Sequence, residues 1–381
     1  MLSVFENNAI DQIYAYEMLQ KFAFSLIGIF IPIYIIAENA PLEWAFLYLI
    51  GYNVVFASLS IPVSYLIARI GFKHSLLLSY LFYVPAFLAI RIFGLGVNLV
   101  SLVAVLIGLG KAFHWIALHA EFALDSTEST RGKASGRLIG LPKISKAFAP
   151  FLGGVIMAYY GFPLLAAVAI FFMVLSVYPL LASKDHRDPL DYDLRQLLTK
   201  EYGVFASFFF LRGTTIASGA LLFPIYIYFV LGNTVDVGSV GSLVSLGSVA
   251  FALFIGKMTD NIERKHMIVI GALSSAAFFG LRAYVNTQLE AFILSFIAGL
   301  MFMVYYVPVY SFLADRAEDK EILEFYAFRE LTLGLGKIFI FAITWISSWY
   351  LGIVSALRLA FLITGVSTVL IALYTRVFDI K

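Results

Sequence analysis

Apolar runs of about 20 residues recur along the whole chain, separated by short polar segments. Each run is long enough to cross the roughly 30 Å hydrocarbon core of a bilayer as an α-helix. The pattern predicts an all-α integral membrane protein with twelve transmembrane helices in two pseudo-symmetric six-helix bundles. The predicted spans are 16–37, 43–68, 74–92, 97–123, 136–159, 162–182, 203–231, 237–258, 266–285, 289–313, 327–350 and 353–375.

Short sequences recur at a fixed distance in the two halves of the chain. Pro32-Ile33-Tyr34-Ile35 recurs as Pro224-Ile225-Tyr226-Ile227, and Lys73-His74 recurs as Lys265-His266, each 192 positions later. Two separate identities at one offset indicate a duplicated unit. We therefore expect two halves with the same order of helices.

The composition agrees with a membrane location. With 61% hydrophobic and 13% charged residues, the chain has too little polar surface to cover a water-soluble globule. It has no cysteine, which excludes disulfides, thiolate catalysis and cysteine metal sites. The longest polar interruption predicts a cytoplasmic linker at 183–202, between an N-terminal bundle at 1–182 and a C-terminal bundle at 203–381.

The placement of Lys and Arg predicts the orientation. With the N-terminus inside, the cytoplasmic segments hold 17 basic residues, and the outer ends hold Arg91, Arg282 and Arg358. This bias predicts a multi-pass protein of the plasma membrane with both termini in the cytoplasm. The remaining basic residues fall within the predicted spans: Lys21, Lys111, Lys143, Lys146, Arg212 and Lys337.

The basic loops after the second span of each half carry a family motif. Gly256, Asp260, Arg264 and Lys265 resemble the Gly-x-x-x-Asp-Arg-x-Gly-Arg-Lys loop of the major facilitator superfamily of secondary transporters. Asn261 and Glu263 stand where that motif has Arg and Gly. In the first half the matching positions are fewer, namely Arg69, Gly71 and Lys73. Together with the two six-span repeats, the resemblance covers essentially the whole chain.

A second motif lies in the predicted fifth span. Ala149-Pro150-Phe151-Leu152-Gly153-Gly154 is similar to the Gly-Pro-x-x-Gly-Gly motif of the same superfamily, which is best known from proton-coupled exporters. Small residues and a proline allow a span to approach its neighbour closely and to bend. We therefore expect Pro150, Gly153 and Gly154, together with the residues of the basic loops, to act in gating or to form a tight helix contact.

Cations inside the spans indicate the substrate class. A Lys or Arg at the centre of a span costs about 2.5–3.5 kcal/mol, so these residues should face protein or a water-filled cavity. The family resemblance implies one central cavity between the halves. It would place there Lys111, His114, Lys143, Arg212 and Lys337. Because the acids within the spans, Glu17, Glu121 and Glu330, fall near cytoplasmic ends, we expect a cationic site without a deep acidic partner, suited to an anion.

Proton coupling requires a titratable group inside the cavity. His114, which shares a helix face with Lys111, is the first candidate, and Glu121 and Glu17 are the alternatives. His119 lies on another face and is expected to be packed or hydrogen-bonded. Lys21 is expected to reach the interface or to pair with Glu17, four residues earlier.

The predicted function is secondary active transport, by a rocker-switch, of an organic or amphipathic anion. No enzyme motif, cofactor site or metal site is recognisable, so catalysis, cofactors and nucleic-acid partners are not expected. The expected partners are a small-molecule substrate, membrane lipids and protons, and the expected state is a monomer. Two alternatives stay open: a proton-coupled exporter of diverse hydrophobic compounds, and a lipid or lysolipid flippase on the same scaffold.

Overall fold

The computed structural model describes residues 8–378, except 94, 126–130, 183–196, 198, 259–262 and 319–321. All the regular elements in this part of the chain are helices. The first half contains α1 (Asn8–Ile27), α2 (Phe30–Ala37), α3 (Leu42–Ile70), α4 (Phe72–Phe93), α5 (Val97–Asp125) and α6 (Arg131–Ala182). The second half contains α7 (Lys200–Ala217), a π-helical turn (Ser218–Leu222), α8 (Phe223–Leu231), α9 (Thr234–Met258), α10 (Arg264–Arg282), α11 (Gln288–Glu318), α12 (Ile322–Leu351) and α13 (Ile353–Val377).

Ten stretches of the described residues are long and apolar enough to cross a membrane. The fifth and sixth predicted spans form one such stretch, Ile144–Leu181, because α6 continues through their junction. Gly161 nevertheless interrupts this helix with φ 79° and ψ 171°, at the predicted boundary. The ninth predicted span, α10, is not among the ten, and basic residues at its two ends, Arg264, Lys265 and Arg282, lower its mean hydropathy. The count of twelve spans therefore stays a prediction.

The helices repeat at the spacing that the sequence identities indicate. Leu42 and Thr234 begin α3 and α9, and Phe72 and Arg264 begin α4 and α10, each 192 positions apart. The first span of each half is also interrupted at a matching place. In the first half α1 ends at Ile27 and α2 begins at Phe30, and in the second half the π-helical turn lies between α7 and α8. The repeat thus extends from short identities to the positions of helix starts and breaks.

Close packing of α6 joins it to helices of both halves. α6 packs against α1 and α9, and α12 packs against α3. Gly153 faces the carbonyl of Leu26, and Gly154 faces the carbonyl of Thr234, so a methyl group at either position would clash with backbone. The hydroxyl of Thr234 donates a hydrogen bond of 3.1 Å to the carbonyl of Gly154. The motif in α6 therefore lies at the contact between the halves, and its part in gating stays a prediction.

Candidate functional site

A buried polar cluster forms where α1 meets α5. Glu17 and Lys21, one turn apart on α1, form an ion pair with 3.3 Å between Oε2 and Nζ. Nε2 of His114, on α5, lies 3.7 Å from Oε1 of Glu17. The hydroxyl of Tyr16 lies 3.1 Å from Nδ1 of His114, and the amide nitrogen of Gln20 lies 3.2 Å from Nε2. All five side chains are buried, and the pairing of Lys21 with Glu17 predicted from their spacing is confirmed.

Lys111 and Lys337 lie on the two sides of the contact between the halves. Lys111 is on α5 and its Nζ is 5.0 Å from the ring centre of Tyr52, whereas Lys337 is on α12 and its Nζ is 5.3 Å from that of Phe56. Both aromatic rings belong to α3, and the two ammonium groups are close enough to repel each other. Among the described residues, neither ammonium has an ion-pair partner. The structure thus brings together two half-buried cations that the sequence analysis assigned to one cavity.

Among the described residues of the second half, Arg212 is the most deeply buried cation. Its side chain, in the middle of α7, is 2% exposed. The guanidinium carbon lies 5.4 Å from the ring centre of Tyr306 and 5.9 Å from that of Phe208. Its Nε and Nη1 atoms have no hydrogen-bond partner in the described part of the chain. Because burying an unpaired charge is costly, an anion that accepts hydrogen bonds from these two nitrogens would stabilise the protein.

A third cluster connects α5 of the first half with α11 and α12 of the second. Oε1 of Glu330 lies 3.6 Å from Nη1 of its neighbour Arg329 and 3.9 Å from Nε2 of His119. Nδ1 of His119 lies 3.1 Å from the hydroxyl of Tyr310. The imidazole is stacked on Tyr326, with 5.5 Å between ring centres and 19° between planes. The expectation that His119 is packed and hydrogen-bonded is confirmed.

Two buried carboxylates correct the expectation that the cations have no deep acidic partner. Glu17 neutralises Lys21, and Glu330 lies beside Arg329. Arg329 was assigned to a cytoplasmic segment, yet it is only 5% exposed and Glu330 only 3%. Both residues fall within the predicted span 327–350, and α12 begins earlier still, at Ile322, so they lie well inside a helix and are covered by its neighbours.

The balance of charge around the contact between the halves is still positive. Among the described residues, four cations lie within electrostatic range of the Glu330 carboxylate, namely Lys111, Arg212, Arg329 and Lys337. The sequence analysis did not include Arg329 or Tyr310 among the site residues. A usable signal was present for Arg329, because an adjacent Arg-Glu pair is flanked by apolar residues on both sides, from Phe325 to Leu335.

The other predicted site residues lie at several places. Lys143 belongs to α6, but its side chain is not among those that the structure describes. Glu121 is buried near the C-terminal end of α5, away from the middle of that helix. The structure therefore places Lys111 within electrostatic range of both His114 and Lys337, and it places Arg212 separately, against Tyr306 of α11. It does not test the placement of Lys143.

The predicted loop residues lie at helix ends. Arg69 is exposed in the last turn of α3, and Nζ of Lys73 donates a hydrogen bond of 2.7 Å to the carbonyl of Leu181. Arg264 and Lys265 begin α10, with Arg264 exposed. Gly256 lies in the last turns of α9, and Asp260 lies outside the described residues. These positions follow from the helix boundaries, and the proposed gating role of the loops stays a prediction.

Comparison with known families agrees with the arrangement of helices. A family model described as Major Facilitator Superfamily matches residues 203–379. The matched part runs from α7 to α13 and contains Arg212, Arg329, Glu330 and Lys337. A search of curated proteins found no match.

Proposed function

We propose that the chain is a secondary active transporter of the Major Facilitator Superfamily, whose family model matches residues 203–379, and that it carries an organic or amphipathic anion. In this proposal twelve spans form two bundles, 1–182 and 203–381, joined by a linker at 183–202. The bundles rock about a site at the middle of the membrane and expose it to each side in turn. The protein acts as a monomer in the plasma membrane with both termini in the cytoplasm.

The observation that carries the proposal is the unpartnered guanidinium of Arg212. Nε and Nη1 lack hydrogen-bond partners although the side chain is 2% exposed. A buried charge without hydrogen-bond partners costs on the order of several kcal/mol. Proteins keep such a charge where function requires it. A carboxylate or phosphate would accept hydrogen bonds from both nitrogens, which is the geometry that arginine offers best.

The surroundings of Arg212 favour an organic anion over a small inorganic one. Phe208 and Tyr306 cover the guanidinium with aromatic rings, and Tyr305 is buried next to them. Such walls bind an apolar body while the cation holds the acidic group. Lys111 and Lys337 supply further positive charge at the contact between the halves, and the same charge repels cationic compounds.

Proton coupling in this proposal uses His114 with Glu17, or Glu121. His114 lies within 3.7 Å of Glu17 and is hydrogen-bonded to Tyr16. One added proton would therefore change the net charge of the whole cluster at α1 and α5. Lys21 holds the remaining oxygen of Glu17 at 3.3 Å. A proton bound here adds positive charge to the half of the protein that faces Arg212.

The proposal is tested by measuring the uptake of labelled anions into proteoliposomes, with a panel of aromatic carboxylates and phosphorylated metabolites. The wild type is compared with the Arg212→Gln and Lys337→Gln variants. We expect at least a tenfold loss of uptake in both. Arg282→Gln is the matched control, because Arg282 is also buried in the second half but is stacked between Phe223 and Phe279. Uptake that is equal in the wild type, Arg212→Gln and Lys337→Gln would refute the site.

The same preparation separates the alternatives. Transport of neutral or cationic dyes at rates equal to those of the anions would support an exporter of hydrophobic compounds. Translocation of labelled lysolipid that is independent of any ion gradient would support a flippase. Either result, together with no anion uptake, would replace the anion proposal.

A further inference from the structure

We infer that His119 and Glu330 form a proton-operated contact between the two halves, and that this contact decides whether Arg329 is available to an anion. The inference rests on the proposed function for the identity of the ligand of Arg329. It adds to the candidates His114, Glu17 and Glu121 a second proton site at His119, which lies on another face of α5 from His114.

The geometry gives Glu330 two competing partners. Its Oε1 lies 3.6 Å from Nη1 of Arg329, on the same helix, and 3.9 Å from Nε2 of His119, across the contact between the halves. Neither distance is that of a short charge-assisted hydrogen bond, which is about 2.7–2.9 Å. The carboxylate is therefore shared between Arg329 and His119. A small increase in the attraction of one of them draws the carboxylate away from the other. Nε of Arg329 has no hydrogen-bond partner among the described residues.

The proton has a defined place to bind. In the tautomer that carries its hydrogen on Nε2, towards Glu330, neutral His119 accepts a hydrogen bond at Nδ1 from the hydroxyl of Tyr310, 3.1 Å away. A hydronium ion that gives its proton to Nδ1 leaves a water molecule and makes the ring a cation with two N–H donors. The hydroxyl of Tyr310 then rotates from donor to acceptor, so that no hydrogen bond is lost. No other bond forms or breaks.

Protonation strengthens one of the two competing contacts. The imidazolium attracts Glu330 with a full charge, whereas the neutral ring offers only an N–H group. As the carboxylate moves towards His119, Arg329 loses its partner while staying buried, and it then requires another anion. One proton and one anion are thus bound together, which is the linkage that a proton-coupled anion transporter needs.

The other charges around His119 oppose its protonation, so Glu330 is essential. Arg329, Lys21, Arg212 and His114 all lie within electrostatic range of the ring. The remaining neighbours are the aromatic rings of Tyr310 and Tyr326 and the indole of Trp115. Burial removes water from an imidazolium, and the Glu330 carboxylate, 3.9 Å from Nε2, offsets part of that cost.

Trp115 provides a direct measurement of this proton. Its indole is stacked on His119, with 5.4 Å between ring centres and 23° between planes, and a protonated imidazole in contact with an indole quenches its fluorescence. The chain has four tryptophans, so replacement of the other three, Trp44, Trp345 and Trp349, by Phe leaves one reporter. We would titrate the fluorescence of this full-length variant from pH 4 to pH 9 in detergent.

We expect a single quenching transition, and we expect both His119→Gln and His119→Asn to remove it. His114→Gln should retain the transition, although His114 also contacts the indole of Trp115. Glu330→Gln should move the midpoint to lower pH by about one unit or more, because the imidazolium loses its counter-charge. Arg329→Gln should move it to higher pH. Glu17→Gln, which alters the other buried carboxylate, is the matched control and should move the midpoint less than Glu330→Gln.

The inference is overturned by the absence of a transition, by its survival in the His119 variants, or by equal shifts in Glu330→Gln and Glu17→Gln. The titration needs no substrate, so its failure would leave the anion site at Arg212 standing. Conversely, unchanged uptake in Arg212→Gln would remove that site without affecting the titration.

Discussion

Individual charges in this protein differ in whether the fold neutralises them, and the difference predicts opposite effects on stability. Arg212 has two unpartnered nitrogens, whereas Arg329 lies beside Glu330. Replacing an uncompensated buried charge by an apolar residue of similar length removes a desolvation cost. We expect Arg212→Met to raise the Tm of the ligand-free protein in detergent and to abolish stabilisation by anions.

Arg329→Met is the matched comparison, since it removes a buried arginine of the same site that has a carboxylate partner. It should lower the Tm, because Glu330 loses the guanidinium that lies 3.6 Å away and keeps, among the described residues, only His119 within ion-pair distance. Thermal unfolding of the two variants side by side checks the assignment. A fall in Tm for Arg212→Met as large as that for Arg329→Met would show that Arg212 has a structural role in the ligand-free fold.

The Glu17–Lys21 ion pair allows a second prediction about single residues. Glu17→Gln leaves the Lys21 ammonium buried beside His114, and we expect a loss of about 3–5 kcal/mol in the free energy of unfolding. The double variant Glu17→Gln with Lys21→Met should recover most of this loss, since no unpaired charge remains. Denaturant unfolding of the two single variants and the double variant gives the coupling energy. A coupling energy near zero would contradict the pair.

At the scale of helices, the contact of α6 with α9 depends on two glycines at close approach. A methyl group at Gly154 would clash with the carbonyl of Thr234, and one at Gly238 would clash with the carbonyl of Pro150. We expect Gly154→Ala to weaken this contact and to lower both the Tm and the transport rate.

Gly280→Ala is the control for this prediction, because nothing lies within 4 Å of a methyl group at that position in α10. It should leave the Tm unchanged or raise it, because alanine favours the helix over glycine by about 1 kcal/mol. Equal effects of the two alanines, measured by thermal unfolding, would show that the glycines of α6 do not hold the halves together.

The sequence predicted the helices better than the contacts between side chains. Apolar runs and repeated residues located the spans, and even the break at Gly161 fell at the predicted boundary, because membrane thickness and backbone geometry act locally. The start of α12 was predicted at 327 and lies at Ile322, and the burial of Arg329 and Glu330 was missed because a charged pair near the end of an apolar run does not reveal its partners on other helices. Helical spacing puts two residues on one face, but it does not tell which helix that face meets.

At the scale of the whole molecule, alternating access requires that the contact between α6 and α9 opens during transport. The absence of native cysteine makes a clean cross-linking test possible. The backbone nitrogen of Phe151 donates to the hydroxyl of Ser242 at 3.0 Å, so cysteines at these two positions lie at the contact between the halves. We expect oxidation of the Phe151→Cys/Ser242→Cys variant in proteoliposomes to abolish anion uptake, and a reducing agent to restore it.

Cysteines at Thr215 and Thr368 supply the control, because these hydroxyls lie 3.5 Å apart on α7 and α13 within the second half. A cross-link inside one bundle does not prevent the bundles from rocking, so uptake should continue after oxidation. If the bridge between α6 and α9 forms quantitatively and uptake also continues, the two halves do not separate along this contact. Transport would then require movement within a bundle, for which the π-helical turn Ser218–Leu222 is the place where the helix ladder is already interrupted.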